Sequence, residues 1–326
     1  MSATGGLAPR SEGQGYRVAV IAALVLVVMT PVGLILYQSF LDAPFFDKTA
    51  RLSLEAYDYV LTDPDFWTAL GTTALFAVGL VAVAVPLGAM LAFLLARTDL
   101  VGKRWLEPVV LVPMFLSSIV LAFGYTVAVG PSGFVSLWMK ETFGFKPWSI
   151  YSLGGMIMIG GLSHVPNVYL YVSSAMRSLP SDLEEAARAT GASIWRVSLD
   201  VTLPMVLPSL IFAAALNLLL GFETFGVPLV LGDPSGIVVL TTYIYKVNGI
   251  FGAPTYHVMA VVAVALILIT LPLVYVQRLL LRNSRRYAAV GGKGARATPL
   301  RLGPTGQVVA WSLIALWLIV SVAMPI

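Results

Sequence analysis

Glu223 is the one acidic side chain placed inside an apolar run long enough to cross a bilayer, in Gly221-Phe222-Glu223-Thr224-Phe225-Gly226. Counted from Ser209 it lies about 21 Å along a helix. A carboxylate at that depth is costly unless it faces water, a cavity or a partner. Two readings stay open: a group lining a pathway, or a carboxylate in an aqueous turn where the helix ends near Gly221 and only backbone donors meet it. Asn217, Gly221 and Thr224 share a small polar stripe, with Asn217 about 600° of helical rotation from Glu223 and so off its face. The stripe suits a pathway, and it suits close helix packing somewhat better. His164, with Ser163 and Asn167 in another apolar run, invites a metal or proton-relay reading. The chain has only 2 histidines, the other being His257 on a different run, and no cysteine. A metal site is therefore not expected, and the expected role of His164 is a hydrogen bond between helices. No Ser/His/Asp set or carboxylate pair occurs in the apolar runs, so no catalytic residue and no cofactor are expected.

Gly291-Gly292-Lys293-Gly294 fails as a phosphate loop, because the first glycine of that motif would fall at Tyr287 and the residue after the lysine is glycine. Any energy from ATP must then come from another subunit.

The elements that position these residues are membrane spans. Hydrophobic residues make up 58% of the chain and charged residues 11%, a bilayer composition rather than a soluble one. Apolar runs at 18–37, 67–95, 108–129, 150–172, 209–231, 257–276 and 307–326 are each about 20 residues or more, the length of a spanning helix. The 67–95 run is long enough to tilt or to carry a kink near Pro86. Between them lie an acid-rich, aromatic segment at 41–65, a loop at 130–149 and a turn-rich segment at 232–256. The domain reading is a cytosolic tail at 1–17, a six-span module at 18–280 with a polar loop at 175–204, a basic cytosolic linker at 281–306 and a seventh span at 307–326. With the N-terminus inside, 15 of the 20 Lys and Arg residues fall on the cytosolic side and 5 outside, as the positive-inside rule requires. This distribution speaks for a bilayer and against nucleic acid.

The polar island Ser181–Pro204 then faces the cytosol. Ser181 and Glu184 form a capping box, so a helix starts there. Gly191 closes it, and Ser193 caps a second short segment through Trp195 and Leu199. Ala186 and Ala187 leave a low surface on which another protein could lie closely. The plain alternative is a hairpin that merely links two spans.

Glu185-Ala186-Ala187, Gly191 four places on, and Val201-x-Leu203-Pro204 resemble the EAA loop of ABC-importer permeases, whose pattern has isoleucine where this chain has Val201. The resemblance implies an all-α, polytopic transmembrane helical bundle of the type I permease fold in the cell inner membrane. It implies that the loop is a coupling helix, with Glu184, Glu185, Ala186, Ala187, Gly191, Leu203 and Pro204 at the contact with a cytosolic ABC ATPase dimer. A periplasmic substrate-binding protein and a second permease module or copy are the other partners it implies. Asn217, Glu223, Thr224, His164 and Asn167 are the candidates for the translocation pathway. The run 222–228, followed by Leu240-Thr241-Thr242-Tyr243, looks like ferric-iron permeases, although polyamine and thiamine systems share the layout. Met324-Pro325 echoes Met29-Thr30-Pro31, and two readings stay open: 307–326 opens a second module, or any two membrane helices look this much alike. An ion-coupled carrier that needs no ATPase is the alternative class, with Glu223 and His164 as its coupling groups.

Overall fold

A computed structural model describes residues 12–145, 148–179, 182–250, 255–284 and 299–325. Its helices are α1 (Glu12–Gln38), α2 (Glu55–Thr62), α3 (Pro64–Arg97), α4 (Lys103–Val110), α5 (Ser118–Val129), α6 (Phe134–Phe143), α7 (Leu153–Ser178), α8 (Asp182–Ala189), α9 (Ile194–Val197), α10 (Leu203–Glu223), α11 (Leu240–Ile250), α12 (Tyr256–Ser284) and α13 (Pro304–Leu318). No strand occurs among the described residues, only two isolated bridges. Among the described residues, six stretches are long and apolar enough to cross a membrane: 16–38, 64–97, 118–143, 198–223, 256–280 and 304–323. The 26-residue α7 has the length as well, but Ser163, His164, Pro166 and Asn167 make it less apolar than these six.

The chain divides into two compact units, 1–63 with 246–265, and 64–245 with 266–326. In the first, α1 is almost wholly exposed along its apolar length. After it the chain folds back on itself. Gln38 donates to Ala43 O at 2.9 Å and accepts from Phe45 N at 2.8 Å, while Ser39 Oγ meets Tyr57 Oη at 2.8 Å. A bridge joins Leu41 to Leu52. The acid-rich segment is thus built around α2 and aromatic pairs such as Phe40 with Tyr57.

The second unit is organised on α3 and α7, which approach closely because glycines leave room for facing side chains. A Cβ at Gly88 would lie 2.5 Å from Val168 Cβ, and one at Gly161 would lie 2.5 Å from Val83 Cβ. In lipid, dispersion between such close helices replaces the hydrophobic drive that water supplies. α10 closes the core, its Gly221 packed on Ala77, with Phe76, Leu80, Val165, Val206 and Ala213 fully buried.

Several expected boundaries move. The 108–129 run is not one span: α4 ends at Val110, a tight turn occupies Val112–Phe115, and α5 starts only at Ser118. Pro113 lacks the amide that would carry the helix on. α3 continues through Pro86 to Arg97. The 130–149 loop contains α6, and the turn-rich 232–256 segment contains α11. The basic linker is helical to Ser284, residues 285–298 lie outside the described residues together with the rejected phosphate-loop motif, and 299–302 form a strap. There Leu300 N donates to Arg97 O at 2.8 Å and Leu302 N to the Asp99 carboxylate at 2.8 Å. α13 follows, and Tyr125 Oη of α5 donates to Val320 O at 2.9 Å just beyond it.

Candidate functional site

The 175–204 loop is a short helix hung between two spans. α8 ends in a paired C-cap: Gly191 N donates to Arg188 O at 2.9 Å and Ala192 N to Ala187 O at 3.3 Å. Gly191 has φ 85°, the left-handed conformation that a Cβ disfavours. Ser193 caps the next segment, its Oγ accepting from Arg196 N at 3.4 Å. That segment is not separate. α9 runs through a wide turn at Ser198–Thr202 directly into α10, so the second arm of the loop is the foot of the following span. Ser181 lies outside the described residues, and with it the expected capping box.

Glu185, Ala186, Arg188, Ala189 and Gly191 are exposed, beside exposed Leu199, Leu203 and Pro204, while Ala187 is half-buried. Glu184 differs from its neighbour. It is 3% exposed and forms an ion pair with Arg97, itself 1% exposed at the end of α3. Its other oxygen accepts from Thr202 Oγ1 at 2.7 Å. Arg97 also donates to Met176 O at 3.1 Å, in the last turn of α7, where a cation suits the helix C-terminus. The contact role expected of Glu184 is therefore corrected, because its carboxylate points into the chain. Arg97 and Thr202 were not foreseen. The one signal for Arg97 was a charge ending an apolar run, and its partner lies 87 residues away. Nearby, Arg177 and Glu107 pair at 2.8 Å, both partly exposed.

The expected pathway residues do not converge. α10 stops at Glu223, with Thr224 extended (ψ 124°) as its C-cap, so Glu223 is exposed at a helix end and Gly221 does not interrupt the helix. The apolar run resumes only as a wide turn at Pro228–Gly232. Thr224 O accepts from Thr241 Oγ1 at 2.9 Å, and Leu240 N donates to Thr73 Oγ1 at 2.8 Å. These bonds tie the 222–228 run, α11 and α3 together. Asn217 is fully buried, donating to Ala213 O at 2.7 Å, while its Oδ1 has no partner among the described residues. Gly221 lies against Ala77, so two of the stripe's three residues are packed inside the bundle. His164 Nδ1 lies 2.8 Å from Gly160 O and 3.1 Å from Ser163 Oγ. This is a bond back along its own helix rather than the expected bond between helices. Among the described residues no hydrogen bond joins His164 or Asn167 to Asn217, Glu223 or Thr224, and no metal-holding cluster occurs.

Comparison with known proteins fits this arrangement. Residues 84–286 match the family described as binding-protein-dependent transport system inner membrane component. The molybdenum transport permease ModB of Escherichia coli K12 is 29% identical over 51% of this chain and 72% of its own length. The trehalose transport permease SugA of Mycobacterium tuberculosis is 30% identical over 63% and 68%. A putative ferric transport permease, FbpB 1 of Haemophilus influenzae, is 22% identical over 96% of this chain and 49% of its own. Among solved structures, a bacterial ABC transporter that imports the acidic polysaccharide alginate shares the fold. Its TM-score is 0.65 at 18% identity, covering 84% of this chain and 94% of that one. The chain belongs to the binding-protein-dependent inner membrane components: it is a multi-pass ABC-importer permease of all-α fold and not an enzyme.

Proposed function

We propose that the chain receives substrate from a periplasmic binding protein and passes it inward, driven by a cytosolic ABC ATPase dimer seated on α8, with a second permease module or copy completing the path. The observation that carries this reading is exposed Glu185 and Ala186 on a helix whose only described buried side chain faces the bundle, with exposed Gly191 just past its end. The distribution of Lys and Arg supports a cytosolic side for that face and for the N-terminus. Closure of the ATPase on ATP displaces α8, and the spans joined to it shift between outward- and inward-open packings. Glu185→Lys should cut uptake of labelled substrate by roughly tenfold, as a coupling loss of 1–3 kcal/mol implies, while membrane insertion stays normal. Unchanged uptake in that variant would remove α8 from the mechanism.

Ferric iron is the substrate we favour, supported by the 222–228 and 240–243 runs and by the match to FbpB 1 along 96% of the chain. Molybdate is the second reading, favoured by the similarity to ModB. Cells that express the intact system should accumulate radiolabelled ferric iron in preference to molybdate or trehalose. Accumulation of molybdate instead would overturn the first choice and leave the permease reading standing.

A further inference from the structure

We infer that Arg97 and Glu184 are positioning residues that set the angle of α8 on the bundle, so that displacement of α8 reaches α3, α7 and α10 together. The inference rests on α8 being the helix that docks the ATPase, and it concerns how force leaves that helix. α8 has 8 residues, too few to be stable alone. Both of its joints are non-helical: Leu179 is extended (φ −71°, ψ 134°) on one side, and Gly191 is left-handed (φ 85°) on the other. Backbone continuity therefore does not hold its orientation, and side chains must.

Of the α8 side chains described, only Glu184 is buried. One oxygen of its carboxylate takes the guanidinium that ends α3, and the same guanidinium holds the last turn of α7 through Met176 O. The other oxygen takes Thr202, in the turn that leads into α10. A single buried carboxylate is thus bonded to the feet of two spans and, through one planar arginine fork, to a third. Charge-assisted bonds of fixed geometry inside a water-poor interior resist rotation better than apolar contacts do. Among the described residues Arg97 Nε has no partner, and the guanidinium is gripped at its two terminal nitrogens, the pair that faces α7 and α8.

The test uses the full chain reconstituted in proteoliposomes with its ATPase and binding protein. If the wild type shows no ATP hydrolysis stimulated by the binding protein, the permease reading itself fails, and this inference with it. Glu184→Gln removes the charge and keeps the shape. The complex should still assemble and hydrolyse ATP, with substrate moved per ATP falling roughly tenfold, a coupling loss within the usual range. Thr202→Val, which removes one bond to the carboxylate, should lower the ratio about threefold, and Thr202→Ser should restore it. A wild-type ratio in Glu184→Gln overturns the assignment. Loss of bound ATPase in step with lost transport also overturns it, since Glu184 would then be a contact. So does a Thr202→Ser variant as poor as Thr202→Val, because the effect would then follow packing and not the hydroxyl. Should Glu184→Gln fail to insert, the two Thr202 variants decide: a ratio lowered by Thr202→Val and restored by Thr202→Ser supports the assignment, and any other outcome overturns it.

Discussion

Two adjacent glutamates of the same chemistry have opposite environments, and their exposure separates their roles. Glu184 is buried against Arg97, whereas Glu185 is exposed. Removing one member of a buried pair leaves the other charge unsolvated, a cost of about 3–5 kcal/mol, while the pair as a whole stabilises much less. Glu184→Ala should accordingly lower the melting temperature of the purified permease sharply. Glu185→Ala should lower it far less, because its side chain is exposed. Equal shifts in a thermal-unfolding measurement would contradict the assignment of the two side chains. Gly191 is constrained by its backbone alone, since nothing lies within 4 Å of a Cβ built there. Gly191→Asn should therefore be tolerated and Gly191→Val should cost about 1–2 kcal/mol, both read from the same melts. The turn at Gly191 and the cap at Ser193 were legible because each is a local rule satisfied within a few residues. Arg97 was not, because its meaning depends on a partner far away in the chain.

Helices were legible as apolar length, but their ends were not. Period and composition mark 209–231 as one run, yet α10 begins at Leu203, is continuous with α9 and stops at Glu223. The polar residues Ser198, Asp200 and Thr202 hide that continuity, because at the foot of a span they face water or the Arg97 cluster and cost nothing there. The break at 111–117 was hidden for the opposite reason: Leu, Val, Met and Phe keep the run apolar while Pro113 ends the hydrogen-bond ladder. Contact between elements is set instead by glycines whose sequence pattern carries no obvious face. Gly88→Val should destabilise α3 against α7 by about 1–3 kcal/mol, the usual cost of overpacking, because its Cβ would lie 2.5 Å from Val168 Cβ. Gly33→Val on α1, with nothing within 4 Å, is the control and should leave stability unchanged. Two variants that melt alike would mean that α3 and α7 do not pack in this register.

For the whole molecule, orientation follows from charge: every apolar helix could insert either way, and the excess of Lys and Arg on alternate connections selects one. On the assignment of 15 cationic residues inside and 5 outside, Lys48 is expected on the outer face and α8 on the inner. The chain contains no cysteine, so a single introduced thiol reports its own side without background. Lys48 and Ala189 are both exposed, and neither takes part in the Arg97 cluster. A membrane-impermeant maleimide applied to intact spheroplasts should label Lys48→Cys and leave Ala189→Cys unlabelled, and both should react once the membranes are opened. The opposite pattern would place the EAA-like loop where no ATPase could reach it. In that case the exposed face of α8 would need a different occupant, and the buried link from Glu184 to Arg97 would serve stability alone.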